Sequence, residues 1–339
     1  MKLLVAGGAG FIGSNFVRHA LTRWPGSSIT VFDKLTYAGN LENLEGVLDD
    51  PRVTFVQGDI CSPSSVSAAV PRHSHIINFA AESHVDRSIL EPDAFVKTDI
   101  EGTRILLEAA KGANVERYLQ VSTDEVYGHI PAPQRINEDG PLRPRSPYAA
   151  SKAGGDLLVN AYHATYNVPT LVTRGANTYG PYQYPEKLIP LFITNCLEHL
   201  PLPVYGDGMQ ARDWLFVKDH CNGIGTVLER GQLGETYNLG ASHEWLNRDV
   251  VDAILERSGA DPSLVRHVHD RPGHDRRYAL DTSKARALGW TIETTFEDGL
   301  AQTVDWYEDH RDWWKRIKEG SFKDFYAAQY DRRLAESLP

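Results

Sequence analysis

Short apolar runs recur through the first half of the chain, and the stretches between them are long enough for helices. The runs lie at Leu3–Val5, Ile29–Phe32, Val53–Val56, Ile76–Phe79, Tyr118–Val121 and Leu171–Thr173. Their hydrophobicity is continuous rather than alternating, which indicates strands buried on both faces of a sheet. Strands that are joined by helices lie parallel. We therefore predict an α/β fold with a doubly wound parallel sheet.

The strand-helix rhythm weakens beyond about residue 180, where prolines and short loops interrupt the chain. One further strand is expected at Glu235–Leu239, returning to the main sheet. We therefore predict a large domain of residues 1–180 plus about 213–241, and a smaller mixed C-terminal substrate domain of residues 181–212 and 242–339. The tail, rich in Trp, Asp and Lys, is expected to be helical and exposed.

Composition limits the partners of the chain. The formal net charge is −10, from 35 Lys and Arg against 45 Asp and Glu, and nucleic acid binding needs clustered basic residues. No apolar stretch is long enough to span a membrane, and the first apolar run breaks at Gly7, too early for a signal peptide. The cysteines Cys61, Cys196 and Cys221 are odd in number and widely spaced. They favour a reducing cytoplasm over a disulfide framework or a metal site.

A glycine-rich turn follows the first apolar run. Gly7, Gly8, Gly10 and Gly13 stand between the predicted strand and a helix that begins at Phe11–Ile12. Glycines at these spacings permit a tight turn and let backbone amides approach a pyrophosphate at the positive end of the helix. The turn therefore predicts a Rossmann-like dinucleotide site.

Asp33 ends the second predicted strand, about 20 residues after the glycine turn. A carboxylate at this position binds the ribose hydroxyls of adenosine and repels the extra phosphate of NADP, so we predict NAD as the cofactor. Lys34 beside it keeps NADP open as an alternative. Asp59 and Ile60, after the third strand, are expected to hold the adenine edge.

A cluster of polar residues follows the fifth apolar run, at Ser122–Gly128. Thr123, Asp124 and Glu125 fall at the carboxyl end of a parallel strand, where ligands bind in this fold class. A hydroxyl and two adjacent carboxylates are costly to desolvate. Any one of them is equally well explained as a helix cap, but the set of three predicts a catalytic site.

Tyr148 and Lys152 follow about two dozen residues later, spaced i, i+4 on one face of a predicted helix. A free tyrosine has a pKa near 10, too high for a base at neutral pH. A lysine ammonium and a positive nicotinamide both favour the phenolate and bring that pKa down. Beside a dinucleotide turn, the pair predicts removal of hydride from an alcohol.

Together these motifs resemble the extended short-chain dehydrogenase/reductase superfamily. Within it, Thr123–Glu125 is similar to the nucleotide-sugar 4,6-dehydratases, specifically the dTDP-glucose 4,6-dehydratase family. The stretches Asp33–Asn40, Ala80–Ser88 and Arg271–Tyr278 resemble that family too, and the resemblance extends to about residue 310. One mild departure is Tyr184, where related sequences often carry phenylalanine.

The resemblance implies a lyase that acts on dTDP-glucose. Bound NAD oxidises C4, water leaves across C5–C6, and the hydride returns to C6, so the cofactor is regenerated in each cycle and held tightly. Glu125 is implied as the base at C5 and Asp124 as the acid toward the C6 hydroxyl. Thr123 would hydrogen-bond the sugar near C4 and align it with Tyr148. Repulsion between adjacent carboxylates keeps one of them protonated.

The resemblance also implies two sets of binding residues. The NAD set comprises Gly7, Gly10, Phe11, Ile12, Gly13, Asp33, Lys34, Leu35, Thr36, Asp59, Ile60, Ala80, Ala81, Thr98, Tyr148, Lys152 and Thr178. The nucleotide-sugar set comprises Ser83, Thr123, Asn177, Lys187, Leu188, Pro203, Val204, Tyr205, Arg212, Asn247, Arg271 and His274.

Residue chemistry agrees with part of the second set. Arg212 and Arg271 suit a diphosphate as bidentate forks, and Tyr205 could stack on a base. Each arginine alone is as well explained by a surface salt bridge. His267 and His269 lack a third ligand, so we predict no metal site.

A homodimer is expected through helices near 93–111 and 148–165, which related enzymes pair into a four-helix bundle. These helices carry more apolar residues than one sheet contact requires. They are Phe95, Val96, Ile100 and Leu106 on the first, and Leu157, Leu158 and Ala161 on the second.

Other functions stay open at this point. A sugar 4-epimerase shares the fold, the cofactor and the tyrosine-lysine pair, but it has no use for two carboxylates. Dehydratases acting on GDP-mannose usually lack the aspartate, and a non-catalytic dinucleotide sensor needs no complete catalytic set. The choice between thymine and uracil, and between rhamnose and secondary-metabolite pathways, is left open.

Overall fold

A parallel sheet and two smaller sheets form the framework of the computed structural model, which describes residues 1–336. The strands are β1 (Lys2–Ala6), β2 (Ser28–Asp33), β3 (Val53–Gln57), β4 (His75–Asn78), β5 (Arg117–Thr123), β6 (Thr170–Gly175), β7 (Asn177–Tyr179), β8 (Leu202–Tyr205), β9 (Ala211–Phe216), β10 (Thr236–Leu239), β11 (Glu244–Leu246) and β12 (Val265–Val268).

The helices lie on both faces of the main sheet and around the smaller ones. They are α1 (Phe11–Arg23), α2 (Pro63–Ala69), α3 (Val85–Leu90), α4 (Pro92–Phe95), α5 (Thr103–Gly112), α6 (Pro147–Tyr166), α7 (Leu188–Leu197), α8 (Val217–Arg230), α9 (Asn247–Ser258), α10 (Ser283–Ala287), α11 (Phe296–Asp309), α12 (Arg311–Glu319), α13 (Ser321–Tyr326) and α14 (Arg332–Ala335). A π turn at Val96–Gly102 joins α4 to α5, and a second at Ala327–Asp331 joins α13 to α14.

The main sheet has seven parallel strands in the order β10-β6-β5-β4-β1-β2-β3, which confirms the doubly wound prediction. Every apolar run predicted as a strand is one. The chain leaves β1 toward β2 and β3, then returns on the other side of β1 to begin β4. The crevice at this reversal, outside the carboxyl ends of β1 and β4, is where ligands bind in such sheets.

Alternation along the central strand explains why helices cover both faces. Leu3 and Val5 pack into a core with α1 and α8, whereas Leu4 and Ala6 pack into a second core with α2 and α5. The prediction of strands buried on both faces is wrong for β3, because β3 forms the sheet edge and leaves Val56 38% exposed.

A separate hydrophobic core lies beyond residue 178. It gathers side chains from the three-stranded sheet β11-β9-β7, from β8, and from α7, α9, α11 and α12. The tail is helical as predicted, but the expectation that it is exposed is wrong. Trp314 is fully buried and its indole N–H donates to the carbonyl of Tyr307 at 2.8 Å, while Phe322 is also buried in this core.

Helix α6 begins and ends on clear local signals. The Ser146 hydroxyl accepts from the Ala149 amide at 3.1 Å as an N-cap, and Pro147 occupies the first helical position. Asn167 in the left-handed conformation ends the helix. This start places Tyr148 and Lys152 in the first two turns. No helix among residues 1–336 has the length and apolarity that a membrane span requires.

Candidate active site

Thr123 is the last residue of β5 and caps the short 3₁₀ turn that follows it. Its hydroxyl accepts from the Glu125 amide at 3.3 Å and donates to Asp124 Oδ1 at 3.3 Å. The capping explanation is therefore correct for Thr123, and it brings the two carboxylates to the carboxyl edge of the sheet. Capping and catalysis are compatible here, because the Thr123 hydroxyl contacts both the Asp124 carboxyl and the Glu125 amide.

Asp124 is 2% exposed, and Oδ2 of its carboxyl has no hydrogen-bond partner within residues 1–336. Burial, reinforced by the charge of Glu125, raises the pKa of Asp124 well above its usual range, although Arg212 opposes the shift. The shift favours the protonated form of this carboxyl group, which stands beside a second carboxyl group, that of Glu125.

Tyr148 lies within hydrogen-bonding reach of Thr123, and its ring meets Phe95 edge-on with centroids 6.2 Å apart. The Lys152 ammonium donates to the carbonyl of Val121 at 2.9 Å. Burial, followed by the charges of Glu125 and Asp99, raises the pKa of Tyr148 well above its usual range. The lowering of this pKa that was expected from Lys152 together with a bound nicotinamide stays a prediction, and burial works against it.

Asp99 is a site residue that the sequence analysis missed. It lies in the π turn before α5, accepts from the Ser151 hydroxyl at 2.6 Å, and accepts from the Glu82 amide at 3.1 Å. Burial raises its pKa to about 6, against the opposing charge of Lys152. π turns often occur at functional sites, but an apolar helical pattern gives no sign of them.

A cleft of about 600 Å³ opens at the β1/β4 reversal. It brings together ten of the predicted NAD residues: Gly7, Gly10, Asp33, Lys34, Thr36, Asp59, Ile60, Ala80, Ala81 and Thr98. Phe32, Ala38, Gly39, Gly58, Phe79 and Glu82 also line it, and the sequence analysis missed them. Ala38, Gly39 and Glu82 fall in stretches that resemble the family, whereas Phe32, Gly58 and Phe79 lie at or directly after strand ends.

The chemistry of this cleft fits a dinucleotide. Gly10 stands at the N-terminus of α1 without a side-chain cap, so the helix amides stay open to a phosphate. Gly7 has φ +74°, and a Cβ there would lie 2.4 Å from the Ala80 amide nitrogen. Asp33 accepts from the Ala9 and Leu35 amides at 2.9 and 2.8 Å, which holds its carboxylate at the cleft edge.

The remaining predicted NAD residues lie around this cleft rather than in its lining. Phe11, Ile12 and Gly13 begin α1, and Leu35 follows Asp33 with φ +59°. Thr178 lines the neighbouring cleft instead, where its hydroxyl meets His220 Nδ1 at 2.8 Å. Tyr148 and Lys152 sit on α6, as described above.

Lys34 forms an ion pair with Asp59, with 2.8 Å between Nζ and Oδ2. The Lys34 ammonium, which left NADP as an alternative cofactor, is therefore already paired with a carboxylate. Together with Asp33, this pairing favours a ribose without the extra phosphate.

A second cleft of about 920 Å³ adjoins the first. It brings together ten predicted nucleotide-sugar residues: Asn177, Lys187, Leu188, Pro203, Val204, Tyr205, Arg212, Asn247, Arg271 and His274. Glu125 lines the same cleft, which places the catalytic cluster at its inner end. Ser83 and Thr123 are not part of this lining. A hydrogen bond holds the backbone of Ser83, because its carbonyl accepts from the Tyr37 hydroxyl at 2.5 Å.

Arg212 is buried and Arg271 is partly buried, with 16% of its side chain exposed, so the explanation by surface salt bridges fails for both. Arg212 is 4% exposed, and its guanidinium donates to the carbonyls of Ala211 and Asp275, each at 2.8 Å. It lies 4.4 Å above the ring of Tyr278, whose hydroxyl is 3.5 Å from Glu125 Oε2. Tyr278 was missed as a site residue, although it closes a stretch that carries the family resemblance.

Several further residues line the second cleft without having been predicted. They are His84, Val85, Asp86, Gln183, Glu186, Leu191, Phe192, Trp214, Val251 and Tyr330. His84 and Asp86 fall in a stretch that resembles the family, but nothing in their spacing assigned them a role. Tyr330 comes from the tail, beyond the end of that resemblance. No group of His, Cys, Asp and Glu in the described part of the chain could hold a metal ion.

The sequence profile of the GDP-mannose 4,6 dehydratase family matches residues 4–303. The chain belongs to the GDP-mannose 4,6 dehydratase family. Within it, the chain is 51% identical to a dTDP-glucose 4,6-dehydratase of Streptomyces niveus over 94% of this chain and 96% of the relative. It is 46% identical to dTDP-glucose 4,6-dehydratase 1 of Escherichia coli K12, over 98% of this chain and all of the relative.

A solved structure agrees with these relatives. The dTDP-glucose 4,6-dehydratase DesIV of Streptomyces venezuelae, crystallised with NAD and TYD bound, superposes with a TM-score of 0.92. The two sequences are 50% identical over 94% of this chain and all of DesIV. The resemblance inferred from Thr123–Glu125 and the glycine turn is confirmed.

Proposed function

We propose that the protein is a dTDP-glucose 4,6-dehydratase, a lyase that forms dTDP-4-keto-6-deoxyglucose. The observation that carries the proposal is the buried Asp124, whose pKa is raised, beside Glu125, which lines a cleft with the buried Arg212 and the partly buried Arg271. A reaction that only oxidises and reduces C4 needs neither carboxyl group. The identity to dTDP-glucose 4,6-dehydratases supports the same choice.

The first cleft would hold NAD, which would accept the hydride from C4, return it to C6 and contribute the positive charge of its nicotinamide ring. The N-terminus of α1 faces the pyrophosphate, and Asp33 binds the adenosine ribose. Because the protein alone raises the pKa of Tyr148, Lys152 and that ring together must favour its phenolate. Tyr148 then takes the proton of the C4 hydroxyl while Thr123 fixes the sugar.

Elimination follows from the two carboxyl groups. The new C4 ketone makes the C5 proton acidic, and Glu125 removes it. The C5–H electron pair forms the C5–C6 double bond as the C6–O bond breaks. Asp124 donates its proton to the departing C6 hydroxyl, which leaves as water. When the hydride returns to C6, Glu125 gives its proton back to C5, which saturates the double bond. Arg212 and Arg271 hold the diphosphate so that C5 and C6 face the two carboxyls.

The test is the product. The purified protein is given dTDP-glucose, UDP-glucose and GDP-mannose in one competition, and the 4-ketosugar is measured by its alkaline chromophore. We expect the chromophore to form from dTDP-glucose in preference to the other two. A 4-epimerase would yield a C4 epimer without the chromophore, a GDP-mannose dehydratase would choose GDP-mannose, and a dinucleotide sensor would change none of them. Any of these three outcomes would overturn the proposal.

The domain division stays a proposal that the packing of the cores supports in part. We assign residues 1–180 plus about 213–241 to NAD binding and residues 181–212 and 242–339 to nucleotide-sugar binding. Strand β10 pairs with β6 in the main sheet, and the core beyond residue 178 gathers the second set. The pairing of β9 with β7 supports a seam between the two parts rather than a flexible linker.

We also propose a homodimer through a four-helix bundle. Large apolar side chains stay exposed on the helices concerned, with Leu157 59% and Val96 53% exposed. Ile100 and Leu158 are half-buried and Ala161 is exposed on the same helices. Phe95 and Leu106 are buried inside the subunit, so they are not available for the interface as expected. Covering such a patch is what drives stable subunit pairing.

A cytoplasmic location is proposed from cysteine chemistry. Cys61, Cys196 and Cys221 are all free thiols. Unpaired cysteines of this kind fit a reducing compartment, where nucleotide-sugars are also available.

A further inference from the structure

Asp86 is a buried carboxylate in the nucleotide-sugar cleft, and the reaction itself does not use it. It lies in the first turn of α3 and is 3% exposed. A carboxylate beside a diphosphate site is unfavourable for ligand binding unless it serves another group, because like charges repel at short range. Its contacts identify the groups that it serves.

One contact is with the diphosphate arginine. Arg271 Nη1 lies 3.6 Å from Asp86 Oδ1, and this is the ion pair that the structure gives to that guanidinium. The Arg271 Nε atom is buried and has no hydrogen-bond partner among the described residues. Asp86 thus holds one side of the Arg271 guanidinium, and the Nε–H of Arg271 remains available to donate to a ligand oxygen.

The other contact is with the aromatic wall of the cleft. The Tyr205 hydroxyl donates to Asp86 Oδ2 at 3.2 Å and accepts from Gln329 Nε2 at 2.9 Å. Its ring lies 6.2 Å from the ring of Tyr330 at an interplanar angle of 30°. The two oxygens of Asp86 therefore contact two different ligand-facing residues, one on each.

The start of α3 explains how Asp86 reaches this point. His84, the residue before the helix, has φ +103°, a region that side-chain-bearing residues rarely adopt. Strain of this kind persists where surrounding contacts enforce it, often at functional sites. The imidazole Nε2 of His84 lies 3.7 Å from Asp86 Oδ2, and Phe325 packs edge-on against the ring with centroids 5.5 Å apart.

We propose that Asp86 is a positioning residue for substrate binding, which orients Arg271 toward the diphosphate and Tyr205 toward the base. The inference rests on the proposed function, since it deepens the role of the same cleft. Asp86 touches neither the sugar nor the reacting atoms. Its removal is expected to weaken binding and to leave the chemical steps nearly unchanged.

The experiment uses dTDP as the probe, measured by calorimetry on the full-length protein with NAD present. We expect Asp86→Ala to weaken dTDP binding roughly 10–100-fold, the range seen when a partner that orients a ligating group is lost. Asp86→Asn should fall between Ala and wild type, because its amide oxygen still accepts from Tyr205 but carries no charge for Arg271. In steady state, KM for dTDP-glucose should rise by a similar factor while kcat stays within about threefold.

The second arm measures coupling to the arginine. In an Arg271→Ala background, Asp86→Ala should weaken dTDP binding less than it does alone, because only its contact with Tyr205 remains to be lost. Asp219 provides a matched buried carboxylate outside the cleft, where it accepts from the Glu293 and Thr294 amides at 3.1 Å each. Asp219→Asn should change thermal unfolding without changing dTDP affinity.

The outcomes separate the two proposals. Wild-type protein that does not bind dTDP overturns the proposed function and this inference with it. Wild-type protein that binds dTDP, with Asp86→Ala binding equally well or with additive losses in the double variant, overturns this inference alone. If Asp86→Ala does not fold, Asp86→Asn carries the same comparison, and a fall in kcat without a rise in KM contradicts the positioning role.

Discussion

At the residue scale, the structure separates the two carboxyl groups that follow β5. Asp124 is buried and its pKa is raised, whereas Glu125 faces the cleft. Two adjacent carboxyls in different surroundings are what an elimination needs, because one must give a proton while the other takes one. The assignment of acid and base thus depends on how deeply each carboxyl is buried, which the adjacent letters Asp124 and Glu125 do not reveal.

Asp124→Asn removes the donated proton and keeps the size of the side chain. We expect elimination to slow by about 10²–10⁴-fold, the usual worth of general acid catalysis, with oxidation at C4 little affected. Single-turnover absorbance would report the oxidation and the alkaline chromophore would report the product. Asp219→Asn serves as the control for loss of a buried carboxylate. Equal loss of both steps in Asp124→Asn would remove it from this role.

Asp99 makes a prediction about pH. Burial raises its pKa from 3.8 in the unfolded chain to about 6, so the folded state holds more protons within that interval. The free energy of unfolding therefore falls as pH rises through the interval, by about 3 kcal/mol from this group alone. Asp99→Asn should flatten this part of the stability curve, measured by urea unfolding across the same pH range. An unchanged slope would contradict the shift.

At the element scale, the glycine turn between β1 and α1 combines two constraints. Gly7 has φ +74° and a Cβ would meet the Ala80 backbone at 2.4 Å, while Gly46 has φ +72° with no atom within 4 Å. Gly46→Ala should cost about 1–2 kcal/mol from backbone conformation. Gly7→Ala should cost clearly more and weaken NAD binding, because β4 must also move. Urea unfolding of both variants measures the loss in the free energy of unfolding. Equal losses would mean that the Ala80 backbone shifts without a penalty and would contradict the prediction.

The helix pair α5/α6 makes a prediction about assembly. Leu157 is 59% exposed on α6, and Leu233 is 39% exposed in the loop before β10. We expect a dimer for wild type and for Leu233→Glu, and a monomer for Leu157→Glu, because a buried unpaired charge opposes association. Sedimentation at micromolar concentration distinguishes them. A wild-type monomer, or a Leu157→Glu dimer, would exclude this interface.

At the scale of the whole molecule, side-chain contacts connect the walls of the two clefts. Tyr37, from the loop beside the NAD cleft, donates to the Ser83 carbonyl at 2.5 Å and to Glu186 at 3.2 Å, and Glu186 lines the second cleft. Arg87 pairs with the same glutamate at 2.8 Å. These contacts link the loop after β2 to the nucleotide-sugar side, which suits a cofactor that is not released between the two hydride transfers.

Deuterium tests this closed cycle. Substrate labelled at C4 should give product labelled at C6 of the same molecule, since the hydride leaves and returns within one complex. The protein is also expected to turn over, at least partially, without added NAD. The measurement mixes C4-deuterated substrate with unlabelled, mass-tagged substrate and analyses both products by mass spectrometry. Substantial deuterium in the tagged product would mean that the hydride carrier exchanges between turnovers.

The strands, the glycine turn, Asp33 and the polar cluster after β5 were all predictable from local patterns. Continuous apolar runs reflect burial on both faces, and the carboxyl ends of parallel strands meet at one edge of the sheet. Both the buried strands and the residues at this edge can therefore be predicted from the sequence. The glycine turn and Asp33 were found in this way, whereas most of the other predicted residues that line the two clefts were implied by the family resemblance. Their placement followed from the elements that carry them.

What only the tertiary structure decided involves residues far apart in sequence. Asp86 meets Arg271 and Tyr205, and Gln329 reaches Tyr205 across 124 positions, through the packing of the tail onto the second core. Burial raises the pKa of both Asp124 and Tyr148, and in Tyr148 it opposes the effect that was expected from Lys152 and a bound nicotinamide. The desolvation of a group depends on every atom that surrounds it. The spacing of residues along the chain therefore cannot predict the size or the direction of a pKa shift.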